Sequence, residues 1–357
     1  MKKIWSSVSH RGSLLSILAA TLSMQSAVLA GSENSEVVGT ITVGPNPGSL
    51  VVSPDNSLVY VLCSAGSGSE IDVINTATKT VASTFQIDAG GAIAISPDGG
   101  TLYCITSNNT LLLISTATQQ VLNTFPTGSS PHSVVVSPDG TLVYVPNYLD
   151  DTVTVLSNNS SVGTIKVDAF SVSVAFSPDS TRAYVASQGS YATGYQYSVT
   201  TIDTTTGSVI SDLVSPQVPY PWEGIAVSPD GSKVYFDVLV SFSRTDKPSI
   251  TQGGVGVVDT ATDTLATTID CQRQHHNNVI PGNLALTPDG KLLYITMESH
   301  GPDYEPKNAV VVVSTASQSV VGHIVVGNGP DGIAIAPNGK QAFVANFYDG
   351  TVSVIQL

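Results

Sequence analysis

From residue 47 to the C terminus, short apolar runs alternate with turn residues, and the runs are of four recurring kinds. The first kind is almost continuously apolar: SLVVS ending at Ser53, AIAIS at Ser96, SVVVS at Ser137, SVAFS at Ser177, GIAVS at Ser228, NLALT at Thr287 and GIAIA at Ala336. Such runs suit strands covered on both faces. Each leads into Ser-Pro-Asp-Gly or a variant of it, and the seven copies are spaced 43, 41, 40, 51, 59 and 49 residues apart. A second run with a central aromatic follows (LVYVL, TLYCI, LVYVP, RAYVA, KVYFD, LLYIT, QAFVA). The third run often closes on Thr-Ala-Thr, as in IDVINTAT and GVGVVDTAT. The fourth, as in VASTFQI and LATTID, alternates apolar with polar residues, the mark of a strand with one wet face. The turn chemistry predicts hairpins: Pro presets φ, Asp caps the turn and Gly takes the left-handed position. Asn56 suits that position, whereas Ser180 predicts a looser fourth turn.

A period of this length signals a repeat architecture. The last copy, DGIAIAPNGKQAFVANFYDGTVSVIQL from Asp331 to Leu357, stops one strand short. The segment VVGTITV at 37–43 precedes the first copy and has the pattern of a fourth strand. The chain therefore reads as an all-β, seven-bladed β-propeller with four antiparallel strands per blade, its last blade closed by the N-terminal strand. An open solenoid would need capping units, and the sequence offers none. The stretch GIAIAPNGKQAFVANFYDGTVSVI resembles the YVTN-type β-propeller repeat, a family similar to lactonase-type and surface-layer propellers. The resemblance runs from about Val37 to Leu357. It implies the fold and carries no catalytic signature.

Residues 1–30 read as a secretory signal peptide: Lys2, Lys3 and Arg11, then an apolar run at 14–22, then Val28-Leu29-Ala30 as a cleavage site. The run is too short to span a bilayer. Residues 31–357 are expected to form one domain, secreted, periplasmic or at the cell surface, and monomeric. Loss of Lys2, Lys3 and Arg11 would take the formal charge from −14 to −17. Such a chain repels phosphate backbones and anionic bilayers, so neither nucleic acid nor membrane insertion is expected. Cys63, Cys104 and Cys271 are too few and odd in number for a disulfide framework, and Cys63 and Cys104 read as small core residues.

The short Ser-Pro-Asp-Gly and Thr-Ala-Thr turns fall on one face of such a ring. Every long insertion (188–198, 215–223, 238–253, 270–282 and 298–308) falls on the other, in blades four to six. Clustered long loops point to function. Five residues before each turn lies a position expected to face the mouth of the central channel: Gly48, Gly91, His132, Val172, Glu223, Gly282 and Asp331. His132, Glu223 and Asp331 are the titratable members, with the chemistry to hold a divalent cation or to act as acid and base. A hydrated polar rim is the simpler reading. Cys271, His275 and His276 form a second candidate metal set, near His300, Glu298 and Asp303. Tyr220 and Trp222 beside Glu223 offer a ligand platform, with Tyr191, Tyr195, Tyr197 and Tyr304 on the same face. No nucleophile elbow, phosphate loop, haem motif or dinucleotide fingerprint is present.

These features lead first to a binding or scaffold module recognising a glycan, peptide or cell-surface component on the insertion-bearing face of blades four to six, with Trp222, Tyr220, Glu223 and His300 in contact. The alternative is a metal-assisted lactonase-like hydrolase or lyase at the channel mouth, with His132 as base or ligand and Glu223 and Asp331 as ligands. A surface-layer component is a third possibility.

Overall fold

The computed structural model describes residues 35–65, 68–88, 90–189, 197–215, 224–242, 250–271, 279–299 and 308–357. Within them lie 28 strands in seven four-stranded antiparallel sheets, and no helix. Six sheets are built from consecutive strands. The seventh runs Pro330–Ile335, Gln341–Asn346, Thr351–Gln356 and then the N-terminal Glu36–Thr42. Glu36 pairs with Gln356 and Thr42 with Thr351, so both ends of the propeller meet in one blade. The innermost strand of each blade touches that of the next, and Pro330–Ile335 touches Pro47–Val52 to complete the ring.

The core explains the aromatic in every second strand. Buried side chains form seven clusters, each shared by two adjacent blades. Each cluster contains one such aromatic: Tyr60, Tyr103, Tyr144, Tyr184, Tyr235, Tyr294 or Phe343. A flat ring fills the wedge between two twisted sheets and buries a large apolar area. In the junction of blades three and four, Tyr144 meets Phe176 edge to face at 4.9 Å between centroids. The outer strands Thr80–Ile87 and Thr264–Asp270 alternate as expected, Val121–Pro126 and Ser160–Lys166 are exposed nearly throughout, and in every blade the register slips by one residue where the fourth strand pairs with the third. Bulges of this kind twist an open edge away from further pairing.

The plain face is held turn to turn. In the first turn Ser53 Oγ donates to Asp55 Oδ1 (2.6 Å) and accepts from the Leu58 amide (2.9 Å). Glycine at φ near +70° packs on the proline of the preceding blade's turn: Gly99 on Pro54, Gly140 on Pro97, Gly231 on Pro178, Gly290 on Pro229 and Gly339 on Pro288. Two junctions lack the glycine. There Ser180 (φ 61°) and Asn56 (φ 64°) take the left-handed conformation. Their side chains accept the amides of Asp139 (3.1 Å) and Asn338 (2.8 Å) in the preceding turn. The fourth turn is therefore as tight as the others, because a hydrogen bond between blades offsets the strain at Ser180.

Part of what reads as insertion is sheet. In blade five Lys233–Phe242 and Ile250–Asp259 pair throughout, from Lys233↔Asp259 to Phe242↔Ile250. The matching strands of blade three, Leu142–Asn147 and Thr152–Ser157, have six residues each. No turn residue interrupts KVYFDVLVSF, so the ladder continues. In blade six, Val279, Ile280 and Pro281 likewise pair with Ser299, Glu298 and Met297.

Candidate functional site at the channel mouth

The approach to the first strand is built alike in several blades. Proline stands immediately before the mouth position in blades one, three, six and seven, where Pro47, Pro131, Pro281 and Pro330 pair with Cys63, Asn147, Met297 and Asn346. Its fixed φ holds the next residue in place. In blade three the loop is also tied from below. The buried Asn147 donates to Thr152 Oγ1 (3.0 Å) and Thr154 Oγ1 (2.9 Å), and its Oδ1 accepts the Gly128 amide (3.0 Å). Asp150 Oδ2 accepts the Ser129 amide at 2.6 Å. Blade seven repeats the arrangement with Asn346 on Thr351 and Ser353, and Asp349 on the Asn328 amide. The Asn of the repeat is a scaffold residue that fixes the approach to the mouth.

Four of the seven mouth positions converge. Gly48, Gly91, His132 and Asp331 line one cavity of about 470 Å³, with Asp331 and His132 at either side and the two glycines between. Space is tight at Gly91 and only mildly so at Gly48. A Cβ on Gly48 would lie 3.2 Å from Asp331 Oδ2, and one on Gly91 would lie 2.6 Å from Ile105 Cδ1. Burial lowers the pKa of His132, opposed in part by a hydrogen bond with the Val172 backbone, so the imidazole is neutral at neutral pH. Its ring lies 5.9 Å from that of Tyr148, which stacks at 5.0 Å on Phe170. Asp331 Oδ1 accepts from Asn283 Nδ2 at 3.3 Å, and its carbonyl accepts from Thr296 Oγ1 at 2.8 Å. Among the described residues lining the cavity there is no Lys or Arg and one carboxylate.

The remaining mouth positions behave differently. Val172 is 1% exposed and packs in the core with Tyr184 and Phe236, since an apolar side chain gains more there than at a wet rim. A Cβ on Gly282 would point at Thr296 Oγ1, and its neighbour Asn283 lines the cavity. Glu223 lies outside the described residues, as do Tyr220, Trp222, His275, His276, His300, Asp303, Tyr191, Tyr195 and Tyr304. Both candidate metal sets include such residues. Among the described residues no three His, Cys, Asp or Glu side chains stand close enough to hold a metal ion.

Cys271 is described. It lies in the core between blades five and six, and burial pushes its thiol up to about 12. Aligned on the fourth strands, it occupies the slot of Val43, Val167 and Val326, so register with the other repeats marks it as a core residue. Cys63 and Cys104 are likewise free, buried and raised to about 12.

Several residues escaped the sequence reading. Phe347 and Tyr148 occupy one position in blades seven and three, just after the Asn, and Phe347 lines the cavity. Ser133 also lines it, with its Oγ buried and without a hydrogen-bond partner. Asp237 is wholly buried beneath the approach to blade five and accepts the Gly224 amide at 2.8 Å. Its signal was an Asp in a slot that is Leu62, Ile105, Pro146, Ala186 and Ala345 in five other blades.

Comparison with known proteins adds to this picture. The family model "Lactonase, 7-bladed beta-propeller" matches residues 75–182, a span that holds blades two and three whole and includes His132. No curated protein matches the chain. Among solved structures, "Kuenenia stuttgartiensis Hydrazine Synthase" is similar with a TM-score of 0.75 and 20% identity, over 88% of this chain and 96% of that one. At that identity the likeness is one of fold. The family match, over 75–182, is a likeness to lactonase-type propellers, and the ring of seven four-stranded blades shows the propeller fold.

Proposed function

We propose that the protein is an exported ligand-binding propeller, that its site is the channel mouth, and that it takes a neutral polyhydroxylated ligand such as the end of a glycan. The observation that carries this reading is the lining of the 470 Å³ cavity. Amides (Asn46, Asn283), hydroxyls (Ser49, Ser64, Ser130), a neutral imidazole and one carboxylate line it together with an aromatic ring, Phe347. Such a set both donates to and accepts from hydroxyl groups, and offers a flat face to a sugar ring. Among the described lining residues there is no cation, which with the formal charge of −14 disfavours anionic ligands. Export rests on the N-terminal pattern alone.

Calorimetry with a panel of neutral mono- and oligosaccharides tests this, using wild type, Phe347→Ala and Asp331→Asn. Both variants are expected to weaken binding by roughly tenfold or more. No saccharide binding, or binding indifferent to both substitutions, would overturn the reading.

The family match favours a second reading, hydrolysis of a lactone. Under it His132, neutral and partly shielded from solvent, accepts a proton from the attacking water. Lactone turnover and metal content should then both be measured in wild type and His132→Ala. Turnover lost in the variant supports hydrolysis, and turnover absent from wild type removes it.

A further inference from the structure

Three buried hydroxyls in blade four have no hydrogen-bond partner: those of Ser187, Ser198 and Thr200. All three residues are fully buried. Their positions are not arbitrary. Ser187 pairs with Ser198 as Asn147 pairs with Thr152 and Asn346 with Thr351. Thr200 lies two residues on, at the place of Thr154 and Ser353, so its side chain is on the same face of the sheet. In blades three and seven the Asn side-chain amide fills the middle of this triangle and donates to both hydroxyls. In blade four serine stands in its place, and among the described residues nothing reaches the centre.

The approach loop shows why no Asn stands there. A Cβ on Gly128 would lie 2.7 Å from Asn147 Cγ, and one on Gly327 would lie 2.5 Å from Asn346 Cγ. The Asn therefore requires glycine opposite it. Blade four has Asp168 at that place, so its partner must be small. Ser171, which pairs with Ser187, is turned toward the neighbouring blade, where it bonds the carbonyls of Asn147 (3.4 Å) and Thr152 (3.3 Å).

Three unmet hydroxyls at one buried point are rare in native proteins. A site with two to four polar partners is the kind that holds an ordered water. We propose that blade four encloses a structural water bound by Ser187, Ser198 and Thr200, standing where the Asn amide stands in blades three and seven.

A high-resolution crystal structure of the mature protein should show a density peak within hydrogen-bond distance of the three oxygens. Thr200→Val, which keeps shape and removes one hydroxyl, reads the same question through stability. With a water in place it takes away a partner and should lower Tm by about 2 °C. With an empty centre it removes an unmet polar group and should raise Tm. Ser187→Asn alone should lower Tm through its clash with Asp168. Combined with Asp168→Gly it should recover and displace the water. Absence of the density peak, or a Tm raised by Thr200→Val, would overturn the proposal.

Discussion

On the face that carries the Ser-Pro-Asp-Gly turns, the seven blades end almost identically, each turn resting on the one before it through a Pro–Gly contact or a side-chain hydrogen bond. On the opposite face the corresponding repeat position sets Gly48, Gly91, His132 and Asp331 around one cavity and turns Val172 into the core. A closed ring needs the same contact made between each pair of neighbours, and the plain face supplies it. The mouth is released from that duty and can place a different side chain in each blade. The matched span 75–182 holds two of the four blades that carry no long insertion. The variable face still needs fixed foundations, and Asn147 and Asn346 supply them in the blades bearing His132 and Asp331.

Those foundations give the largest expected effect. Asn147→Ala removes the nearer of two acceptors of the Gly128 amide, leaving Thr154 Oγ1 at 3.3 Å, and removes the donor to Thr152 and Thr154. It should cost about 3 kcal/mol by denaturant unfolding. Asn346→Ala should cost less, about 2 kcal/mol, because Asn346 Oδ1 has no hydrogen-bond partner to lose. Equal losses, or the reverse order, would mean that the two blades are not anchored as their geometry indicates.

The plain face gives the next effect. Gly290 has φ 70°, and a Cβ there would lie 2.8 Å from Pro229 Cδ. Gly290→Ala should cost about 1–2 kcal/mol. Ser180→Gly at the equivalent place should stay within about 0.5 kcal/mol, since relief of strain offsets the lost bond to Asp139. If Gly290→Ala leaves unfolding unchanged, tight turn packing does not hold this face.

The difference between the faces also decided what could be read from the sequence. Repetition made the plain face legible: the seven turn starts, the strands beside them and the pairing of 37–43 with Thr351–Gln356 all follow from period and pattern. Where blades differ, pattern says less. Ser180 gave no sign of its bond to Asp139, which depends on a turn 41 residues away. The long hairpin of blade five looked like an insertion because its strands run to ten residues where the repeat elsewhere predicts about six. At the mouth, position identified His132 and Asp331 as neighbours of one cavity. It failed for Val172, because a valine turns to the core wherever one is in reach. Phe347 and Ser133 were hidden because their roles come from where the ring places them.

Acid should separate the two faces by the pH at which each responds. On the plain face hydroxyl hydrogen bonds from Ser53 and Ser228 hold Asp55 and Asp230 down at about 2, and Lys291 does the same first for Asp289. A carboxyl depressed in the fold stabilises it above the ordinary value near 3.8, and that contribution is lost as pH falls toward 2. These groups are exposed and screened, so each effect is small. At the mouth, His132 is lowered from 6.5 by burial. Below that pH the unfolded chain takes up the proton more readily than the fold does, so stability declines as pH falls through this window. Melting curves from pH 8 to pH 2 for wild type and His132→Asn should therefore diverge below about 6.5. The final loss below about 4 should be shared by both proteins, because it belongs to the turns. A difference curve flat through 6.5 would remove His132 from the buried neutral state. A shared loss that set in well above pH 4 would show that carboxylates outside the turns govern the acid limit. Two transitions in their expected places would give each face its own pH signature, and ligand binding at the mouth should then displace the first transition and leave the second where it is.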